Sequence, residues 1–107
     1  MSDANEAVDY IYKNAPAFAK AKSDRVYLEE FRKTKKSLLM MASGESSAVM
    51  RETDAYALPE YQELLAGLRV AVEQEEALKW QLTAAQARIE IYRTSEASAR
   101  ALGRAIG

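Results

Sequence analysis

Cysteine and histidine are both absent from the 107 residues. Together the two gaps remove thiolate nucleophiles, imidazole bases, zinc fingers and disulfide staples. Any catalysis would rest on carboxylates, lysines or hydroxyls, and no acid and base pair in the chain has a reason to be shifted. The chain is therefore expected to be non-enzymatic, with no catalytic residue, no cofactor and no metal. Two prolines and four glycines are too few for a turn-rich β protein. Neither sign of charge prevails: 15 Lys plus Arg meet 16 Asp plus Glu, a net −1, so no global field draws the chain onto a polyanion. Long apolar runs are missing too, because the densest, Leu38-Leu39-Met40-Met41-Ala42, falls far short of the roughly 20 residues that cross a bilayer. Residues Met1 to Glu6 are polar and acidic, unlike the basic and then apolar start of a secretory signal. No membrane partner is expected, and the expected location is the cytoplasm.

What is present is helix-forming. Ala, Glu, Lys, Leu and Arg dominate a chain that is 49% apolar and 29% charged, the make-up of a single all-α domain. Asp3 with Glu6 three residues on reads as a capping box opening a first arm over 3–42. Pro16 is expected to kink or split that arm. From Ala17 the steps 17, 21, 24, 28, 31, 35, 38 and 42 alternate between four and three, as a seam does. Ser43-Gly44 is a helix stop, with glycine available for a left-handed cap. The connection 43–58 is either a loop or a short helix capped by Ser46 or Ser47. Pro59 then opens a second arm over 59–102.

That second arm carries the clearest pattern. Tyr61, Leu64, Leu68, Ala71, Glu75, Leu78, Leu82, Ala85, Ile89, Tyr92, Glu96 and Ala99 form a sustained heptad, and Leu65 and Val72 widen it. The arms would run to about 60 and 65 Å at the helical rise, which predicts a long antiparallel helical hairpin. Residues 103–107 are expected to fray. A lone hairpin leaves much apolar surface in water, so a homodimer forming a four-helix bundle is the expected completion.

The balanced total hides segregated charge: −3 over 1–9, +5 over 13–36, −6 over 45–76 and +3 over 79–104. Lys22, Arg25, Arg32, Lys33 and Lys36 form a basic stripe that could follow a phosphate backbone, although Glu29 can neutralise part of it along the helix. Tyr27 and Phe31 beside it suit core better than base stacking. Glu73, Glu75 and Glu76 are acid-rich but lack the histidines of a helical di-metal site. Glu75 lies inside the heptad seam and requires a partner, and matched arms make Arg25 the first candidate. Trp80 lies off the strict seam and, with Ile91, Tyr92 and Arg93, marks a candidate partner interface. Arg93, Arg100 and Arg104 share a face that also suits a helix C-terminus.

The strings Asp24-Arg25-Val26-Tyr27-Leu28-Glu29-Glu30-Phe31-Arg32-Lys33, Asp54-Ala55-Tyr56-Ala57-Leu58-Pro59-Glu60-Tyr61 and Thr83-Ala84-Ala85-Gln86-Ala87-Arg88-Ile89-Glu90 resemble a group of small proteins of unassigned function encoded by temperate bacteriophages. The resemblance runs from about Ala17 to Ala99. It implies a place in the early recombination and replication region of a phage genome, an accessory role there and a bacterial host cell as location. It carries no catalytic assignment. Leu58 stands where the resemblance leads one to expect histidine, which argues against a functional imidazole before Pro59. The resulting expectation is an interaction protein that contacts a phage or host DNA-processing protein. Two alternatives stand beside it: direct nucleic-acid binding by the basic stripe, and inhibition of a host defence or repair nuclease by the −6 segment.

Overall fold

Helix formation begins at the first described residues. In a computed structural model, residues 3–106 are described, and they form three helices and no strand: α1 (Asp3–Ala42), α2 (Ala48–Ala57) and α3 (Pro59–Ile106). Among these residues no helix is long and apolar enough to cross a membrane.

Pro16 does not split the first arm, since α1 runs through it. The ring removes the amide that would bond the Tyr12 carbonyl. Tyr12 and Pro16 are both exposed, so water can donate to that carbonyl in place of the missing amide. Asp3 is not a cap. It lies in the first turn of α1, and its carboxylate accepts from Arg88 of α3.

The stop at the other end of α1 also differs from the expected left-handed glycine. No described glycine has positive φ. Instead the Ser43 amide donates to the Met40 carbonyl at 3.1 Å. The Ser43 hydroxyl donates to Asp54 at 2.7 Å and accepts the Glu45 amide at 3.2 Å. A side chain that binds backbone and carboxylate together turns the chain without needing strained geometry. Arg51 closes the same turn through the Glu45 and Ser46 carbonyls at 3.2 and 2.9 Å.

The connection contains a helix. Ser47, in extended conformation, caps α2 by accepting the Met50 amide, the expected use of a short hydroxyl side chain. Leu58 is extended (φ −72°, ψ 142°) because the residue before proline is pushed out of helical geometry. Pro59 therefore ends α2 and opens α3, where its missing amide costs nothing. The Gln62 side chain donates to the Tyr56 carbonyl at 2.8 Å, satisfying one of the acceptors left at the end of α2. Past Leu102, where fraying was expected, α3 continues to Ile106; Gly107 lies outside the described residues.

The chain divides into two compact units: residues 19–75, and residues 1–18 with 76–107. In the first, Leu39, Ala55 and Tyr61 are buried together, with Met40, Leu58 and Leu65 packed on them. All three helices thus meet in one core. Pairing of Arg25 with Glu75 and of Leu39 with Tyr61 shows α1 and α3 antiparallel there. In the second, Asp3 meets Arg88 and Tyr10 donates to Gln81 at 2.5 Å, again antiparallel. Its buried residues are Ala4, Ala7 and Ala85.

The α3 heptad is buried or half-buried from Tyr61 to Ile89 and exposed from Tyr92 on. The α1 seam follows the expected one in part: Ala21, Leu28, Phe31 and Lys35 are buried or half-buried, whereas Ala17, Asp24, Leu38 and Ala42 are exposed and Phe18, Arg25 and Leu39 beside them are covered or partly covered. Phe18 offers more apolar area than Ala17, and Arg25 brings the charge that Glu75 needs.

Candidate functional site

Arg25 and Glu75 make the strongest polar contact in the 19–75 unit. Arg25 Nε and Nη2 donate to Glu75 Oε2 and Oε1 at 2.5 and 3.0 Å, a bidentate fork. Nη1 donates to Glu29 at 2.9 Å. The bond to Glu75, followed by the one to Glu29, holds the Arg25 pKa above its ordinary value. The side chains are 24% and 12% exposed, so the pair is largely shielded from screening. Arg25 is therefore occupied structurally and leaves the basic stripe.

Three of the remaining stripe residues converge. Arg32, Lys33 and Lys36 line an open cavity of about 570 Å³ together with Ser37 of α1, Tyr56 of α2 and Tyr61 of α3. Lys36 Nζ donates to the Tyr56 hydroxyl at 3.2 Å, sits 5.4 Å from the Tyr56 ring centroid and lies 3.9 Å from Glu52. The hydroxyl contact first, and then the Glu52 charge, raise its pKa above the ordinary 10.5. Tyr56 and Tyr61 meet edge to face at 5.0 Å. Lys33 pairs with Glu30 on the exposed helix surface, a contact of little strength. Arg32 is half-buried and makes no ion pair or hydrogen bond among the described residues. Such a guanidinium beside an open cavity is chemically fitted to a phosphate or carboxylate.

Lys22 does not line this cavity. Tyr27 and Phe31 stack on each other at 5.8 Å on another flank of α1. Tyr27 is 64% exposed, so the expectation of core holds in part for Phe31 and not for Tyr27. Glu73 and Glu76 are exposed while Glu75 faces Arg25, and no group of three or more acidic residues among the described ones is placed to hold a metal. Ser37, Tyr56 and Tyr61 were missed as cavity residues. Nothing in their local pattern marks them, because they come from three different helices.

The second candidate surface is on α3. Trp80 is 63% exposed, with the Lys79 ammonium 5.8 Å from its ring centroid. Ile91 is exposed similarly, at 66%. Eleven residues separate them, about three helical turns, so they share a face. One further interval of eleven reaches Leu102, 62% exposed. Tyr92, itself exposed, lies in line with the heptad rather than with this row, and Arg93 pairs with Glu90 at 3.1 Å. The four expected interface residues therefore do not form one patch; Trp80 and Ile91 do, and Leu102 completes their row. The eleven-residue interval was legible in the sequence but is hidden when only a seven-residue repeat is sought.

Comparison with protein-family models, curated proteins and solved structures finds no match to the chain, so the functional reading rests on these two surfaces.

Proposed function

We propose that this chain is a non-catalytic, phage-encoded interaction protein, a homodimer in the bacterial cytoplasm that assists DNA recombination or replication through protein contacts. The observation that carries the reading is the state of α3 from Ile91 to Ile106, where every residue is exposed. An isolated helix of this length is marginal in water, and this one displays Ile91, Leu102 and Ile106. A stretch of that kind is suited to lie against another helical surface. The resemblance in three strings of sequence supports the phage setting. The test is affinity capture from phage-induced cells, followed by reconstitution with the purified partner. Retention of a DNA-processing protein by the wild type, and its loss on Trp80→Ala, is the expected result. Retention of none, or retention indifferent to Trp80 and to α3 beyond Ile91, overturns it.

A second reading, direct nucleic-acid binding, draws on the cavity in which Arg32 has no anionic partner. Three cations on a single strand would give a salt slope near −2, or about a 20-fold loss of affinity between 50 and 200 mM salt. Fluorescence anisotropy with a labelled oligonucleotide reads this directly. Binding that survives Arg32→Glu excludes the cavity as the site.

A further inference from the structure

The homodimer reading leaves open which surface pairs, and α3 carries a face whose charge pattern answers it. Successive residues turn by about 100° around a helix. The side that packs in the 1–18 and 76–107 unit is marked by Leu78, Leu82, Ala85 and Ile89, all buried or half-buried. Ala87, Ile91, Thr94, Ser98, Ala101 and Ala105 lie about half a turn away from it and are all exposed. Their steps of four, three, four, three and four are those of a heptad seam.

A two-fold axis perpendicular to α3 sets two such seams antiparallel, whereas an axis along α3 would set them parallel, with Glu90 against Ser95 and no opposite charges paired. Flanking charges then choose among the registers the heptad allows. With Ile91 against Ala101 of the second copy and Thr94 against its Ser98, Glu90 of each copy faces Arg104 of the other. Both ion pairs recur by symmetry. Moving the pairing by one heptad in either direction sets Glu90 or Arg104 against Ala97, so the opposite charges no longer meet. The alternative seam, Tyr92, Glu96, Ala99 and Gly103, places arginine against arginine at positions 93 and 100 in the three antiparallel registers centred on it and puts Glu96 in the contact.

The side chains are free to make this exchange. Glu90 is held only by Arg93, in a pair whose members are about 70% exposed, and contacts of that kind are weak. Arg104 makes no ion pair among the described residues. The stem of Arg88, whose head is held by Asp3, would cover Leu102 of the second copy.

We propose that a second copy of this chain docks on the Ala87 to Ala105 face of α3, antiparallel, with reciprocal Glu90 to Arg104 pairs fixing the register. This rests on the homodimer reading above and names its surface. Sedimentation equilibrium of the full chain is the test. Glu90→Arg and Arg104→Glu should each weaken dimerisation by about ten-fold, and the double exchange should restore it. Ile91→Asp should abolish the dimer while the helical circular-dichroism signal persists. A readout independent of affinity is oxidation of Ala97→Cys, a position that meets its own copy across the axis only in this register. It should cross-link, whereas Ala99→Cys should not. A dimer unmoved by these changes, or one lost on Trp80→Ala but not on charge reversal, overturns the proposed face or register and leaves the homodimer standing. A chain monomeric at every concentration overturns both.

Discussion

The unit of residues 19–75 and the unit built from 1–18 with 76–107 use the same helices with different means. In the first, α2 adds a third wall, so Leu39, Ala55 and Tyr61 are buried and a carboxylate within the seam finds Arg25. In the second, the buried residues are alanines and the cross-helix bonds, Asp3 to Arg88 and Tyr10 to Gln81, lie at exposed positions. A ten-residue helix is enough to separate a unit with a core from one held by close contact and surface bonds. The difference also places the candidate sites: a cavity where three helices meet, and an open helix face where α3 has no neighbour among the described residues.

The largest expected effect follows from the core. Leu39→Ala should cost about 2–4 kcal/mol in urea unfolding, and a loss under about 1 kcal/mol would mean that the 19–75 unit is no better packed than the other. Next comes the buried charge. Glu75→Gln should lower Tm by several degrees, because Arg25 then lacks its main anion, and Arg25→Met with Glu75→Leu should recover most of that loss. If Glu75→Gln is silent, the seam tolerates charge without pairing. Third, Ser47→Ala should destabilise by about 0.5–1 kcal/mol and speed hydrogen exchange at the Met50 amide; unchanged exchange would show that α2 is held by tertiary contacts alone.

A smaller effect concerns pH in the second unit. The hydrogen bond from Arg88 holds the Asp3 carboxyl below its ordinary value of 3.8. A depressed folded pKa contributes stability that is present above the unfolded value and is lost as pH falls through the folded one. Amide exchange at the start of α1 should therefore rise on acidification below pH 3.8, and Arg88→Gln should remove that dependence. The smallest effect is on the bare stretch: Ile106→Ser, at a position 79% exposed, should change unfolding by less than about 0.5 kcal/mol.

Much of this was legible in the residues. The α3 heptad, Pro59 as its opening residue and the pairing of Arg25 with Glu75 all follow from spacing and local chemistry, while the connection allowed a loop or a short helix capped by Ser46 or Ser47. The α1 seam was legible at Ala21, Leu28, Phe31 and Lys35 but missed at Ala17 and Asp24, where Phe18 beside the one offers more area and Arg25 beside the other brings the needed charge. On α3, the heptad continues through Tyr92, Glu96 and Ala99 without any sign that nothing covers it. The cavity was half legible: Arg32, Lys33 and Lys36 belong to the basic stripe, but Tyr56 and Tyr61 come from elements whose approach no local pattern encodes.

By itself the sequence determined the helical class, the break after Ala42 and the opening of α3 at Pro59, because proline geometry and helical periodicity act over a few residues. Tertiary structure alone decided which flank of α1 turns inward, that Arg32 stands beside a cavity with no ion pair among the described residues, and that α3 is exposed from Ile91 to Ile106. A periodic stripe is wide enough to admit packing on adjacent positions. Only the helix laid against it, with its own bulk and charge, chooses among them.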